Sequence, residues 1–222
     1  MRYLGLALYS EGPTDDRFLG PLLHRLCQQL CHEHATQLID ISNVLSLIDA
    51  GPDREKPREE RIEHAALSAR GAWNILFVHG DGAADPVRAI QNCVAPGLLK
   101  VHENPLFQGR AGVAVVPVRE TEAWVLADGD ALRAVFGTRL TDAELGIPSN
   151  PPRVEKLPDP KSVLENAFKA TNPSKRRARA GAAALLDALG DRVAIEKLRL
   201  VPSFQKLDLE LLHALRQIQV CP

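Results

Sequence analysis

Residues 3–16 read Tyr3-Leu4-Gly5-Leu6-Ala7-Leu8-Tyr9-Ser10-Glu11-Gly12-Pro13-Thr14-Asp15-Asp16. An unbroken apolar run that stops at a Gly-Pro turn has the pattern of a buried strand handing over to a helix. The pattern predicts Thr14 as helix N-cap, with Asp15 and Asp16 in a first turn whose dipole favours carboxylates. Phe18, Leu19, Leu22, Leu23, Leu26 and Leu30 then extend an amphipathic helix to about His34. A strand without polar alternation is covered on both faces, which is the habit of parallel sheets.

The same alternation recurs along the chain. A second strand is expected over Leu38–Ile48. A charged loop containing Gly51-Pro52 follows, then a helix from Pro57 to about Ala69. Trp73–Val78 reads as a buried strand ending in His79-Gly80-Asp81-Gly82. A helix from Pro86 to about His102, interrupted near Pro96-Gly97, leads to a strand over Gly112–Val118. That strand ends at Arg119-Glu120-Thr121-Glu122 and is followed by a helix over Ala123–Phe136. Strands separated by helices imply an α/β fold: a mostly parallel sheet with helices on both faces. Residues 140–160 hold Pro148, Pro151, Pro152, Pro158 and Pro160 and read as a linker. Residues 161–222 show helical patterning only. The expected organisation is an α/β domain over 1–139, a Pro-rich linker over 140–160, and a C-terminal helical extension over 161–222 packed on the domain.

At 222 residues and 45% hydrophobic content the chain can bury a core without disulfides. No apolar run approaches the roughly 20 residues that span a bilayer. The first apolar stretch lacks the basic start and cleavage site of a signal peptide, so a cytoplasmic protein with no membrane partner is expected. Four cysteines are too sparse for a disulfide framework. His24, Cys27, Cys31 and His34 share a helical pattern, but its ends would lie about 15 Å apart, too far for one zinc ion. Residues 1–150 carry 14 Lys/Arg against 20 Asp/Glu, and residues 151–222 carry 13 against 8. An acidic part beside a basic part suits a metal-binding surface next to a phosphate-binding one.

Open parallel sheets bind ligands at the carboxyl ends of their strands. Acids gather there: Glu11 and Asp15 after the first strand, Asp81 after the Trp73 strand, Glu120 and Glu122 after the Gly112 strand. Such carboxylates are hard oxygen ligands for Mg²⁺ or Mn²⁺, ions that clamp a phosphate and activate water. Asp15, Asp16 and Asp85 have a second reading, as partners of helix dipoles. Glu11 and Asp81 follow their strands before any helix begins.

Glu11-Gly12-Pro13-Thr14-Asp15 and His79-Gly80-Asp81 resemble the two signatures of the TOPRIM fold, shared by topoisomerases, primases and the overcoming-lysogenization-defect nucleases. Glu122-Ala123-Trp124, Ala127-Asp128 and Pro202-Ser203-Phe204 resemble a bacterial family of TOPRIM-like proteins of this length. The resemblance implies Glu11 as general acid/base or metal ligand, Asp81 as a second catalytic residue and metal ligand, and Asp15, Glu120 and Glu122 as completing the metal shell around Mg²⁺ or Mn²⁺. His79 stands where the TOPRIM pattern has its first aspartate. As a neutral side chain it can ligate Mn²⁺ but removes a negative charge; it can also be read as a loop histidine bonded to backbone. Tyr3 and Tyr9 lie within a strand, which disfavours a tyrosine nucleophile and favours hydrolysis by water. Trp124 reads as core, and Asp128 as a partner of loop backbone.

Lys175, Arg176, Arg177 and Arg179 follow Asn172-Pro173 at an expected helix start, where the dipole disfavours cations. Either an anion such as nucleic-acid backbone docks there, or the run is a solvated helix end. The expected activity is metal-dependent phosphodiester hydrolysis on nucleic acid, DNA in preference to RNA. The resemblance adds a partner ATPase and phage defence; the alternative is a non-catalytic subunit that binds nucleic acid or that ATPase. No Walker motif makes this chain itself an ATPase.

Overall fold

The computed structural model describes residues 2–49, 55–83 and 85–222, and the turn expected at Gly51-Pro52 lies outside them. β1 (Arg2–Tyr9) occupies the stretch quoted above, and every residue from Leu4 to Tyr9 is buried. Helix α1 spans Pro13–His34. Its N-cap is Gly12 rather than Thr14, because Pro13 takes the first helical position, where its fixed φ and missing N–H cost nothing. β2 (Ile39–Leu47) follows, then α2 (Arg58–Ser68), β3 (Ile75–His79), and the helical turns α3 (Pro86–Ala89) and α4 (Ala95–Glu103) before β4 (Ala111–Val115). The strands form one parallel sheet in the order β2-β1-β3-β4.

Alternate residues on these strands enter two cores. Leu4, Leu6 and Leu8 of β1 and Ile75 and Phe77 of β3 pack with Phe18, Leu22 and Leu26 of α1. Ala7 and Tyr9 of β1 and Leu76 and Val78 of β3 pack with Ile62 and Ala66 of α2 and Val101 of α4. The sheet is therefore covered on both faces, and each fully buried Leu or Phe contributes roughly 1.5–3 kcal/mol.

Two expected helices are broken. Ile90–Val94 between α3 and α4 is a π turn, several residues before the expected interruption. Pro96 sits in the first turn of α4, where it cannot donate to Asn92, and a wide turn ahead of it spares its ring a clash with that carbonyl. The predicted helix over 123–136 is split into α5 (Glu122–Val125) and α6 (Gly129–Phe136). Asp128 leaves helical geometry and caps α6, its Oδ1 accepting from the amides of Asp130 (3.0 Å) and Ala131 (3.3 Å).

The proline-rich segment 140–160 is folded. Its α7 (Asp142–Leu145) starts with a capping box formed by Thr141 and Glu144, and a 3₁₀ turn covers Pro151–Lys156. Leu145, Ile147 and Val154 lie in the same core as β1. Pro151, Pro152 and Pro160 stand at helix starts, where they set φ without removing a needed bond. The rest of the chain is helical: α8 (Pro160–Ala170), α9 (Lys175–Ala180), α10 (Leu186–Gly190), α11 (Ile195–Leu198) and α12 (Pro202–Gln217). The core that holds β1 runs through them to Cys221. Among the described residues no helix is long and apolar enough to cross a membrane.

Candidate metal centre

Three loops meet at the carboxyl edge of the sheet. After β1, Asp15 lies in the first turn of α1, its amide donating to Gly12 O at 3.1 Å. β3 ends on His79, paired with Val115 of β4, and Asp81 follows after Gly80. The Asp81 loop is tied to the loop after β4: Gly82 N donates to Pro117 O (3.0 Å), and Ala83 and Arg119 exchange both backbone bonds (3.2 and 2.9 Å). A Cβ on Gly82 would run into the Pro117 carbonyl, so only glycine allows this approach. Ala83 (φ 44°) and Arg119 (φ 67°) are held in the left-handed region, a conformation that non-glycine residues adopt at some cost.

Asp15, His79 and Asp81 each offer a ligand atom such that all three lie within 4.8 Å of one another. Among the described residues this is the one such group of His, Cys, Asp or Glu, and it could hold a metal ion. His79 is fully buried. Its Nδ1 lies 4.0 Å from Asp15 Oδ2 and its Nε2 3.5 Å from Asp81 Oδ1. The Thr121 hydroxyl donates to Asp15 Oδ1 at 2.8 Å and lies 3.2 Å from His79 Nε2. His79 Nδ1 and Asp81 Oδ1 are buried with no hydrogen-bond partner. A neutral imidazole carries one N–H. Whichever nitrogen holds it, the other turns a lone pair toward a carboxylate oxygen, an arrangement that a bound cation would relieve.

The other acids expected in the shell are placed differently. Glu11 reaches the same loop, its Oε1 3.7 Å from where a side chain on Gly80 would begin, but its near partner is Arg58 Nη1, also at 3.7 Å. Glu120 Oε2 accepts from Lys161 N at the start of α8 (3.3 Å). Glu122 is half-buried, and burial pushes its carboxyl up, with Glu120 and Asp15 adding in the same direction. Asp16 turns a buried Oδ1 without a partner into the structure, and burial raises its carboxyl too. Asp85 has the dipole role, accepting from Arg88 N at 3.1 Å.

Two residues of the site escaped sequence reasoning. Arg58, at the start of α2, donates through Nη2 to His79 O (2.6 Å) and through Nε to Cys93 O (3.0 Å), with its guanidinium 5.4 Å from the Tyr9 ring centre. It thus fixes the end of β3 and places a positive charge beside Glu11. Thr121 stands between Glu120 and Glu122. Its only sequence signal was its place just after a strand. The Tyr9 hydroxyl is engaged in the fold: it donates to Asp49 Oδ1 (2.8 Å), and burial, helped by Asp49, pushes its pKa up to about 12.

Trp124 is buried, donating to Ser203 Oγ at 2.8 Å and meeting Phe204 edge-on. Asp128 is buried, accepting from Ala194 N (3.0 Å) and Lys197 Nζ (2.6 Å). In the basic run, Lys175, Arg176 and Arg179 are exposed. Arg177 has a structural engagement: it donates to Phe136 O at the end of α6 (3.1 Å) and lies over the Phe168 ring. Searches against family models, curated proteins and solved structures found no match.

Proposed function

We propose that this chain is a divalent-metal-dependent phosphodiester hydrolase of TOPRIM type acting on nucleic acid, DNA in preference to RNA. The observation that carries the reading is the Asp15–His79–Asp81 group, whose buried imidazole faces carboxylate on both sides. Its location at the carboxyl edge of a parallel sheet supports the same reading. An ion held there, Mg²⁺ or Mn²⁺, would supply Lewis acidity toward a phosphate and a water of lowered pKa. Among the chain's own residues, Glu11 would move the proton as general acid/base, with Asp81 holding the loop's second carboxylate at the ion. Arg58 would offer positive charge to an incoming phosphate, and Glu122, close enough to Asp15 to feel its charge, would orient the shell. Lys175, Arg176 and Arg179 would meet the backbone of a longer substrate. A partner ATPase and a role in phage defence belong to this reading and rest on the resemblance alone.

A second reading, a non-catalytic subunit that binds nucleic acid, draws on one observation: Glu11 faces Arg58 rather than the three-residue group. The test is incubation of single- and double-stranded DNA and RNA with the protein in Mn²⁺, Mg²⁺ or chelator, beside Glu11→Gln and Asp81→Asn. Metal-dependent cleavage lost in both variants, with their circular dichroism unchanged, is the expected result. Wild-type cleavage by Glu11→Gln, or cleavage in chelator, overturns the proposal. Binding without cleavage under every ion favours the second reading.

A further inference from the structure

Thr121 is 3% exposed, in the turn between β4 and α5. A threonine hydroxyl has one proton to give and lone pairs to receive with. Here the proton goes to Asp15 Oδ1 at 2.8 Å, a bond strengthened by the negative charge of its acceptor. The same oxygen lies 3.2 Å from His79 Nε2. Having spent its proton, it can only accept there, so Nε2 must carry the imidazole hydrogen. Nδ1 is then left with a bare lone pair. It is buried without a hydrogen-bond partner and faces Asp15 Oδ2 at 4.0 Å, while Nε2 lies 3.5 Å from Asp81 Oδ1.

We propose that Thr121 is a positioning residue of the metal centre: it locks His79 in the tautomer that presents Nδ1 to the ion, and thereby makes the site prefer Mn²⁺ to Mg²⁺. The inference rests on the metal-centre reading above and adds the selectivity. Both ions take oxygen ligands, but Mg²⁺ demands near-ideal octahedral geometry and sheds its waters reluctantly, so a fixed imidazole nitrogen in the shell costs it more than it costs Mn²⁺. A histidine in a carboxylate site helps a transition ion only when its lone pair points inward. Outer partners that fix a ligand's tautomer typically carry a 10–100-fold effect on metal affinity. Thr121 also grips Asp15, so a single hydroxyl orients two of the three ligands.

The test uses the full chain and the metals alone. Mn²⁺ affinity is measured by the electron paramagnetic resonance signal of free Mn²⁺, and Mg²⁺ affinity by its competition, for wild type, Thr121→Val and Thr121→Ser. In parallel, nitrogen-15 spectra of histidine-labelled, metal-free protein report which ring nitrogen of His79 is protonated, a readout that packing alone does not move. The expected result is Mn²⁺ preferred over Mg²⁺ by wild type and an Nε2–H tautomer. Thr121→Val should lose 10–100-fold in Mn²⁺ affinity with a smaller change for Mg²⁺, and Thr121→Ser should restore both properties. Unchanged Mn²⁺ affinity in the valine variant, equal losses in valine and serine variants, or an Nδ1–H tautomer in wild type overturns the inference while leaving the metal centre standing. A wild type that binds neither ion brings down the metal centre and this inference together. Should the valine variant not fold, the wild-type tautomer and the ion preference of wild type and the serine variant decide.

Discussion

Replacing Asp128 with alanine should destabilise the protein by about 3 kcal/mol without touching metal binding. Its carboxylate is 4% exposed and satisfies four donors: the amides of Asp130, Ala131 and Ala194 and the ammonium of Lys197 (2.6 Å). Loss of a helix N-cap costs roughly 0.5–2 kcal/mol, and breaking a buried ion pair about 3–5 kcal/mol. The second figure is reduced here, because Lys197 is 36% exposed and keeps Asp130 as a partner at 2.7 Å. The lost bond to Ala194 loosens the joint between α6 and α11 as well. For a chain of this length the expected fall in Tm is roughly 6–12 °C. Asp128→Asn, which keeps an oxygen for the cap but loses the charge, should cost about 1–2 kcal/mol. Urea denaturation measures both, and a Mn²⁺ titration of the folded protein should be unaltered. A stability loss below about 1 kcal/mol with weakened Mn²⁺ binding would refute the structural role and assign Asp128 to the metal shell instead.

Two further outcomes are expected. The Glu33 carboxyl is held down at about 2 by its hydrogen bonds to Arg199, against an ordinary value of 4.5. A depressed folded pKa stabilises above the unfolded value, so this contribution is complete above about pH 4.5 and disappears as pH falls toward 2; for a pair this near solvent it amounts to roughly 1 kcal/mol. Wild type and Glu33→Gln should therefore differ by that amount at pH 7 and converge near pH 2 in denaturant titrations, and a constant difference would contradict the pairing. Neutralising Lys175, Arg176 and Arg179 together, with Arg177 kept for its bond to Phe136, should flatten the salt dependence of duplex binding by roughly 0.9 for each phosphate that is no longer neutralised. An unchanged slope would mark the run as a solvated helix end.

β1 and β3 were legible because residues buried on both faces leave apolar runs, as in Leu4–Tyr9 and Ile75–Val78. The acids at the carboxyl edge were legible for the same reason: Asp15 and Asp81 are placed by the strands that precede them. What escaped depends on contacts distant in sequence. Asp128 breaks a helix because Ala194 and Lys197, more than sixty residues away, reward its carboxylate for doing so. The prolines of 140–160 looked like a linker because composition records what a residue cannot do, not that Leu145, Ile147 and Val154 between them are buried. Arg58 reaches His79 O across 21 residues, and no spacing rule connects the start of one helix with the end of the next strand. Glu120 and Glu122 carried the right chemistry in the right loop, yet the turn into α5 brings the hydroxyl of Thr121 between Asp15 and His79. The basic run was visible as charge, but the aromatic and carbonyl partners that occupy Arg177 come from α8 and α6.

The direct measurement of the central claim is anomalous scattering from a crystal grown or soaked with Mn²⁺. A single strong peak bonded to one atom each of Asp15, His79 and Asp81, at the roughly 2.0–2.2 Å expected of such ligands and absent from an Asp81→Asn crystal, is the predicted result. A peak held by Glu120 and Glu122 without His79, or no peak at the carboxyl edge at saturating Mn²⁺, would contradict it.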